Sequence, residues 1–410
     1  MKIIGNFRLK WMSCKWGTCF RWFSFLLIFL ITTCSRREME NLQFYWKPIP
    51  PIPPKTGDSI QPGLAGPVTG SLGELMLVAG GANFPDGPPW KGGVKQYHDE
   101  VFLLRLLENG SFSWAQSDKN LPVHLAYSAV ATIPGGVISI GGENELGPVK
   151  DVFLFSACEG NIDIKRLPDL PAAISSGGAA SVGSKVFVAG GLNIHGASAG
   201  FYCLDIQNPN NGWEVLPDLP VPLSHAVVLS QWDESGPCIF VIGGRNKTGE
   251  ISTFFSGILK YSPVDGSWSK ETDININGKP VGLSAGTGIA FGPESIILFG
   301  GDKGIVFNQT ERINLAIEKS SGPQKVLLLE KKDSLLTNHS GFYKGILVYN
   351  TFDKSWRDAG EIPGETPVTT SAFVWKGMVI IPSGEVRPGI RSSKVLGVEI
   401  VNQQDSLREK

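Results

Sequence analysis

The sequence predicts an all-β fold, a six-bladed β-propeller, on the basis of three observations. A short apolar run ends in a glycine doublet five times, at intervals of 49 to 61 residues. An aromatic-rich segment and, in most repeats, a tryptophan follow the doublet. The chain of 410 residues contains 50 glycines and 28 prolines, which is typical of many short strands joined by tight turns. A repeat of this length indicates an architecture in which each repeat is one structural unit.

Each doublet ends a run with the composition of a fully buried strand. The doublets are Gly80-Gly81, Gly141-Gly142, Gly190-Gly191, Gly243-Gly244 and Gly300-Gly301. The runs before them read LMLVA, VISI, KVFVA, IFVI and IILF, as expected for strands covered on both faces. A sixth run, MVII, leads to Ser383-Gly384, 83 residues after the fifth doublet.

The rest of each repeat also fits one four-stranded unit. The segments DEVFLLRL, DVFLF, FYCLDI, GILKYSP and GILVYNT follow the doublets. Tryptophans come next in four repeats, at Trp114, Trp213, Trp268 and Trp356, and proline-rich segments such as RLPDLP and VLPDLP mark the repeat ends. This combination resembles kelch repeats, in which each repeat forms one propeller blade.

The last repeat lacks a strand that the other end of the chain can supply. TSAFVW, GMVIIPS and SKVLGVEIV provide three strands, and then the sequence ends in a short tail. LQFYWKPIPPIPP, at 42–54, has the aromatic residues and proline-rich end of an outer strand but no strands before it. We expect it to complete the last blade, which removes an open sheet edge. The propeller is thus predicted over 42–403, with 404–410 as a C-terminal tail.

Two insertions interrupt the period. The first, ANFPDGPPWKGGVKQYHDE at 82–100, is rich in proline, glycine and aromatic residues and predicts an ordered loop. The second, at 302–341, contains NQTERINLAIEKS, whose apolar residues have helical spacing and predict one helix. Long loops on one rim of a scaffold usually serve binding.

The first 33 residues are expected to be a secretion signal. Five basic residues and no acidic residue stand in 1–22, before an apolar run at 23–31. That run is shorter than the about 20 residues that a membrane span needs. Met12 is an alternative start to Met1. Cys34 comes directly after this segment. A cysteine at this point resembles a bacterial lipoprotein cleavage site, although Thr33 departs from the small residue that usually precedes the cysteine. We therefore expect export to the periplasm, with membrane attachment through a lipid on Cys34 left open.

The composition excludes several classes of protein. The net charge is −1 and only 18% of residues are charged, so no basic excess would attract nucleic acid. After Cys34 only Cys158, Cys203 and Cys238 remain, far apart. They cannot form a dense disulfide framework or a cysteine-based zinc site, and the histidines also lack zinc spacing. No metal and no cofactor is expected, and the oligomeric state is not predicted.

The residue after each doublet is expected near the central channel. These positions hold Ala82, Glu143, Leu192, Arg245, Asp302 and Glu385. The most specific pattern is SGEVRPGIR at 383–391, in which a Pro388-Gly389 turn separates Glu385 from Arg391. Such a turn would direct both side chains to one pocket. The alternative is a solvated loop whose ion pair is worth less than about 1 kcal/mol.

Three stretches carry a resemblance to a known family. They are LMLVAGGANFPDGPPWKGGVKQYHDEVFLL (75–104), VISIGGEN (137–144) and GEVRPGIR (384–391). With the insertion in the fifth repeat, they resemble the N-acetylneuraminate epimerase (sialic acid mutarotase) family of secreted kelch proteins, over nearly all of the chain after residue 42. In well-known members the GE..PG.R repeat lies mid-chain, whereas here it comes last. The resemblance therefore implies a cyclically permuted form, which a closed ring permits.

The resemblance implies an isomerase that interconverts the α and β anomers of sialic acid for its uptake or use. In the family the Glu and Arg of GE..PG.R are the proposed active-site pair, which corresponds to Glu385 and Arg391. Mutarotation removes a proton from the anomeric hydroxyl and delivers one to the ring oxygen, a role that suits Glu385. Arginine binds a carboxylate through two parallel hydrogen bonds, a role that suits Arg391.

Three further residues are candidates for substrate binding. Arg245 would be a second anion contact, Glu143 would bind hydroxyls or help proton transfer, and Asn83 would bind hydroxyls. A blade-edge ion pair for Arg245 and a local turn bond for Asn83 are structural alternatives. His98 in YHDE is a weaker candidate, for a proton donor, with a structural place in the loop as the alternative, and Arg387 has no assigned role.

Other functions fit the same fold. A non-catalytic carbohydrate- or protein-binding propeller is the main alternative. A hydrolytic sialidase would need several arginines, a tyrosine nucleophile and Ser-x-Asp-x-Gly turns, but SPVDGSW has the wrong spacing. A copper radical oxidase would need clustered tyrosine and histidine with a special cysteine, and the sequence has no such cluster.

Overall fold

The computed structural model describes residues 42–402. Residues 45–399 form one compact unit, and the other described residues are the ends of the strands Leu42–Ile49 and Val395–Asn402. The expected secretion signal, Cys34 and the tail at 404–410 lie outside the described residues, so these expectations stay predictions.

Six four-stranded antiparallel sheets make up the fold, which confirms the predicted six-bladed propeller. We number the blades in chain order and give their strands from the inside outward. Blades 1 to 3 are Val68–Leu72, Leu75–Ala79, Val101–Leu106 and Phe112–Gln116; Ala129–Ile133, Gly136–Ile140, Val152–Cys158 and Asn161–Arg166; and Gly178–Val182, Lys185–Ala189, Phe201–Asp205 and Glu214–Val215. Blades 4 and 5 are Val227–Asp233, Gly236–Ile242, Gly257–Ser262 and Ser267–Asp273; and Thr287–Phe291, Ser295–Gly301, Tyr343–Asn350 and Trp356–Glu361.

Blade 6 combines strands from both ends of the described chain. Its strands, from the inside outward, are Phe373–Trp375, Met378–Pro382, Val395–Asn402 and Leu42–Ile49. The segment that the sequence analysis assigned to an outer strand therefore completes the last blade, as predicted. This pairing removes the free edge that three strands alone would leave.

The core lies between the faces of adjacent blades. The second strands Leu75–Ala79, Gly136–Ile140 and Met378–Pro382 are buried along their whole length. Leu77 of blade 1 and Phe155 of blade 2 belong to one buried cluster. Because neighbouring blades cover both faces of each sheet, these strands read as continuous apolar runs without alternation.

The glycine doublets allow a sharp bend where each second strand ends. Gly80 and Gly81 have φ angles of 61° and 96°, and a Cβ on Gly80 would lie 2.4 Å from the carbonyl oxygen of Leu125. Both the backbone conformation and the close approach therefore require glycine. In blade 6, Ser383 takes the first position with φ 56°, and its hydroxyl accepts a hydrogen bond from the Leu64 N–H at 2.7 Å. That bond compensates for the strained backbone.

A closed ring of six backbone hydrogen bonds joins the segments that lead into the inner strands. Each N–H donates to the carbonyl of the corresponding residue in the preceding blade, at 2.7 to 2.9 Å, and all six residues have φ between 53° and 63°. The members of this axial ring are Gly66, Tyr127, Ser176, His225, Ala285 and Thr369. The ring fixes the six blades relative to one another at one end of the central channel.

Short hairpins connect the second and third strands in five blades. They pair Ala82–Asn83 with Gln96–Tyr97, Glu143–Asn144 with Gly147–Pro148, Leu192–Asn193 with Gly196–Ala197, Arg245–Asn246 with Thr253–Phe254, and Glu385–Arg387 with Ile390–Arg391. A further hairpin, Asn275–Ile276 with Lys279–Pro280, precedes blade 5. The first insertion also contains the 3₁₀ turn Pro89–Lys91, and a second 3₁₀ turn is Pro209–Asn211.

Blade 5 carries two helices in place of a hairpin: α1 (Ile305–Glu318) and α2 (Gly322–Thr337). The helical spacing at 308–320 predicted only one helix, and α2 was not predicted. The apolar residues of α2 do not form one buried stripe, since Val326 and Leu327 are 54% and 65% exposed. A helix without such a stripe lacks the apolar periodicity by which helices are predicted from sequence. Among residues 42–402, no helix is long and apolar enough to span a membrane.

Candidate active site

The residues that follow the doublets converge over the axial ring. Each forms a bridge with the residue just before a ring member; the pairs are Ala65 with Ala82, Ala126 with Glu143, Ser175 with Leu192, Ser224 with Arg245, Ser284 with Asp302, and Val368 with Glu385. Five of the six post-doublet residues, all except Ala82, line one cavity of about 800 Å³. Of the five residues predicted to act on substrate, Glu385, Arg391, Arg245 and Glu143 line this cavity together.

The axial ring separates this cavity from the central channel. Ring members such as Tyr127, Ser176 and His225 line both spaces. The channel has a volume of about 370 Å³, and its lining includes no Asp, Glu, Lys or Arg. The charged groups instead line the cavity on the hairpin side, and convergent titratable side chains in a concave space are the usual mark of an active site. We call this space the axial cavity.

Glu385 and Arg391 lie opposite each other in the blade 6 hairpin. The Oε1 atom of Glu385 is 3.4 Å from Nη1 of Arg391, and their side chains are 20% and 4% exposed. The same Oε1 accepts a hydrogen bond from the N–H of Gly389 at 2.7 Å, so the turn predicted from Pro388-Gly389 orients the carboxylate. The pair is largely buried, unlike the solvated loop that was the alternative.

Hydrogen bonds within the protein do not saturate the Arg391 guanidinium. It lies 4.7 Å from the ring centre of Phe84, a cation–π contact. Its Nη2 is 3.4 Å from the hydroxyl oxygen of Tyr127. Because a guanidinium only donates, this oxygen accepts, and the Tyr127 hydrogen stays available to a ligand. Among the described residues, Nε is buried without a hydrogen-bond partner, and Nη1 has only its 3.4 Å ionic contact with Glu385. Leaving buried donors unpaired costs free energy, so the arrangement suits an anionic ligand.

Glu143 occupies the equivalent position in blade 2 but is fully engaged. Its Oε1 lies 3.0 Å from Nζ of Lys95 and accepts from the Tyr97 hydroxyl at 2.7 Å. Its Oε2 accepts from the Ser175 hydroxyl at 3.0 Å. Burial, reinforced by the hydrogen bond to Glu143, raises the pKa of Tyr97 to about 12. Lys95 also lies 5.2 Å from the ring centre of Tyr127, so Glu143 anchors a cation beside that tyrosine.

Arg245 provides a second guanidinium to the axial cavity. It lies 4.5 Å from the ring centre of Phe307, and its Nη2 is 3.2 Å from Nε2 of His225. Burial and then the charge of Arg245 lower the pKa of His225 well below its usual range. His225 is therefore neutral and accepts at Nε2, while its Nδ1 is 3.0 Å from the Ser224 hydroxyl. Among the described residues, no carboxylate oxygen lies within 4.0 Å of Arg245.

Asp302 and His339 are two further titratable groups in the lining of the axial cavity. Burial raises the pKa of Asp302, which accepts a hydrogen bond from the Gly304 N–H at 2.8 Å. Burial lowers the pKa of His339, whose Nδ1 accepts from the Gly341 N–H at 3.0 Å. The cavity thus contains a carboxyl group that keeps its proton to a higher pH than an exposed aspartate does.

Tyr127 and Lys95 line the axial cavity but are not among the residues predicted from the sequence. A signal for Tyr127 existed, because the segments before the inner strands also repeat, as AGP, AYS, SSG, SHA, SAG and VTT. Aligning them would have placed Tyr127 and His225 at equivalent positions on the axis. Lys95 lies in the first insertion, and no local pattern distinguishes it.

The two insertions meet over the axial cavity. The Trp90 indole N–H donates to Oδ1 of Asp333 in α2 at 3.0 Å, and Nζ of Lys91 is 3.2 Å from the same oxygen. A Cβ on Gly389 would lie 2.9 Å from Cδ of Pro89, so the first insertion also packs on the blade 6 turn. The insertions therefore enclose the cavity and join three of its walls.

Two residues singled out from the sequence lie elsewhere. Asn83 does not line the axial cavity; it is 3% exposed and donates from Nδ2 to the Gly63 carbonyl at 3.1 Å. Arg387 is 43% exposed and lies 3.8 Å from Glu365, on the outer side of the hairpin. Across residues 42–402, no group of three or more His, Cys, Asp or Glu side chains could hold a metal ion.

Comparison with known proteins reveals one family. A family model described as N-acetylneuraminate epimerase matches residues 167–409, more than half of the chain. Curated proteins of the same name are similar in Salmonella enteritidis PT4 (26% identity over 232 residues, 56% of this chain and 57% of the relative) and Brucella melitensis (28% over 243 residues, 57% and 58%). The protein of that name in Haemophilus influenzae is 26% identical over 244 residues, 59% of this chain and 60% of the relative. The chain thus spans little more than half the length of the curated relatives it matches.

Proposed function

Because the chain belongs to the N-acetylneuraminate epimerase family, we propose that it interconverts the α and β anomers of N-acetylneuraminic acid. The observation that carries this proposal is the buried Glu385–Arg391 pair in the axial cavity, in which Nε of Arg391 has no hydrogen-bond partner among the described residues and Nη1 has only the 3.4 Å contact with Glu385. Sialic acid bears a carboxylate and a hydroxyl on its anomeric carbon. A buried guanidinium beside a carboxylate base matches these two groups.

Arg391 would hold the substrate carboxylate through charge-assisted hydrogen bonds. Phe84 and Tyr127 fix the guanidinium from two sides, so little ordering is needed when the substrate binds. The Tyr127 hydrogen would bind a sugar oxygen. Arg245, which has no carboxylate partner among the described residues, would contact a more distant polar group of the substrate.

Glu385 would carry the proton. As the bond between the anomeric carbon and the ring oxygen breaks, the anomeric hydroxyl gives its proton to Glu385 and becomes a ketone oxygen. The ring oxygen takes a proton from a second group and becomes a free hydroxyl. Asp302 is our candidate for that group, because burial raises its pKa and favours the protonated form. Rotation about the adjacent carbon–carbon bond and reclosure, with both protons returned, yields the other anomer.

The test follows freshly released α-sialic acid by proton NMR with wild type, Glu385→Gln and Arg391→Ala. Loss of a general acid–base group should slow exchange by about 10²- to 10⁴-fold. Loss of charged hydrogen bonds worth about 1.5–3 kcal/mol should raise KM for Arg391→Ala. Equal rates in all three proteins would contradict the assigned pair. Binding of sialic acid to wild type without acceleration above the spontaneous rate would favour the non-catalytic alternative.

We propose further that the protein is exported and that its blades are cyclically permuted kelch repeats. The basic and apolar segments in 1–33 support export, and Cys34 supports a lipid anchor in the periplasm. Mass spectrometry of the mature N-terminus tests both: an unprocessed terminus would contradict export, and a free Cys34 would contradict the anchor. The late position of GEVRPGIR in the chain supports the permutation.

A further inference from the structure

A second polar cavity lies at the seam where the propeller closes. Its volume is about 450 Å³, within the range of about 300–1,000 Å³ that is usual for small-molecule sites. Its walls come from the segment 55–64, which leads from the outer strand of blade 6 into blade 1, and from the first hairpin and strand Val101–Leu106. None of its lining residues lines the axial cavity. We call it the seam cavity.

Two buried polar atoms in the wall of the seam cavity have no partner. Oδ1 of Asn83 and Nε2 of His98 are both buried, and within residues 42–402 neither atom has a hydrogen-bond partner. Asn83 is 3% exposed, and its amide orientation is set by the bond from Nδ2 to the Gly63 carbonyl. An unpaired buried polar atom costs about 1–3 kcal/mol. Two such atoms on one cavity indicate a place for a polar ligand.

The His98 ring is also held in a defined orientation. Its Nδ1 lies 3.4 Å from Oε2 of Glu100, and Oε1 of Glu100 lies 3.1 Å from Nζ of Lys55. The hydrogen bond from His98, offset in part by burial, lowers the pKa of Glu100 to about 2, so Glu100 has no proton to donate. Nδ1 therefore carries the hydrogen, and Nε2 keeps a lone pair that no described residue uses.

The chemistry of the wall selects the class of ligand. Asn83 Oδ1 needs a hydrogen-bond donor. A hydroxyl group can both donate and accept, so it can pair with Asn83 Oδ1 and with His98 Nε2. The charged lining residues are one cation, Lys55, and two acids, Asp58 and Glu100, which disfavours an anion. Leu64, Phe102 and other apolar residues complete the wall and would contact C–H groups.

We propose that the seam cavity binds a neutral polyhydroxylated molecule, such as a polyol or an uncharged monosaccharide. Its hydroxyls hydrogen-bond Asn83 Oδ1 and His98 Nε2, and its C–H face packs on Leu64 and Phe102. The bound molecule bridges the segment 55–64 and blade 1, and therefore strengthens the closure of the ring. The site is separate from the one proposed for the sialic acid carboxylate and does not depend on it.

The experiment is saturation-transfer NMR on the full chain with glycerol and D-glucose as probes. Wild type should show transfer to the probe C–H protons, and His98→Ala should lose most of it. Gln96→Trp places a large side chain at an exposed position of the wall and leaves the buried network intact, so it should also abolish transfer in a folded protein. Arg391→Ala is the matched control on the axial cavity and should retain transfer.

Several outcomes would overturn the proposal. Transfer of equal strength in wild type, His98→Ala and Gln96→Trp would place the probes elsewhere. Transfer that Arg391→Ala abolishes would assign the probes to the axial cavity. No transfer to either probe in wild type would mean that only water fills the seam cavity. Transfer from ethanolamine but from neither neutral probe would assign the site to a cation.

Discussion

Glu143 and Glu385 occupy equivalent positions in blades 2 and 6, yet their surroundings differ. Each follows a doublet, bridges to the segment before the inner strand, and lines the axial cavity. Glu143 is held by Lys95, Tyr97 and Ser175 at 2.7 to 3.0 Å. Glu385 has one backbone hydrogen bond, and its cation lies farther away, at 3.4 Å.

On the proposed function, this difference separates a structural carboxylate, Glu143, from the proton carrier, Glu385. A carboxylate whose oxygens already accept hydrogen bonds from several fixed donors has few lone pairs left for a substrate. A carboxylate with one fixed bond keeps lone pairs for a substrate hydroxyl. The fold therefore supplies several acids at one rim, and the neighbours of each acid decide which of them can carry protons.

The largest expected effect tests the comparison between Glu143 and Glu385 directly. Glu385→Gln should reduce kcat for anomer exchange by about 10²- to 10⁴-fold, whereas Glu143→Gln should reduce it less than about tenfold, because the glutamine oxygen can still accept from Tyr97 while its amide donates to the Ser175 hydroxyl. The measurement is the exchange rate by NMR for both variants under saturating substrate. Similar losses in the two variants would show that the number of fixed partners does not separate their roles.

The next effect concerns the cations beside the two acids. Arg391→Lys removes the planar fork that matches a carboxylate. Loss of one charged hydrogen bond is worth about 1.5–3 kcal/mol, so KM should rise about 10- to 150-fold. Lys95→Met, the matched change beside Glu143, should raise KM less than about tenfold. A larger rise in KM for Lys95→Met than for Arg391→Lys would move the carboxylate site to blade 2.

The smallest effect tests how firmly Glu143 is held. Tyr97→Phe deletes one of its three donors and should lower the free energy of unfolding by about 1 kcal/mol near neutral pH, measured by denaturant titration.

The pH dependence of the same variant has a defined sign. The pKa of Tyr97 is about 12 in the folded protein and about 10 in an unfolded chain. Its contribution is therefore complete below pH 10 and is lost as the pH rises toward 12. The stability difference between wild type and Tyr97→Phe should shrink over that interval, and a difference that grows would contradict the assigned bond.

Much of the candidate site could be predicted because the repeat is regular. The spacing of the doublets assigned Glu143, Arg245 and Glu385 to equivalent positions, and the turn at Pro388-Gly389 placed Arg391 opposite Glu385. Asn83 was the exception. It follows Ala82 in a strand, where successive side chains point to opposite faces, and it therefore lines the seam cavity instead of the axial cavity.

The sequence by itself determined the six blades, the closing strand and the rim positions, because each depends on short-range spacing and strand pattern. The tertiary structure alone decided which acidic side chains of the axial cavity already accept hydrogen bonds from other side chains. Lys95 and Tyr97 reach Glu143 from an insertion 46 to 48 residues away in the chain, and Tyr127 reaches Arg391 across 264 residues. No local pattern records such contacts, since they arise only when the closed ring brings side chains of different blades to one axis.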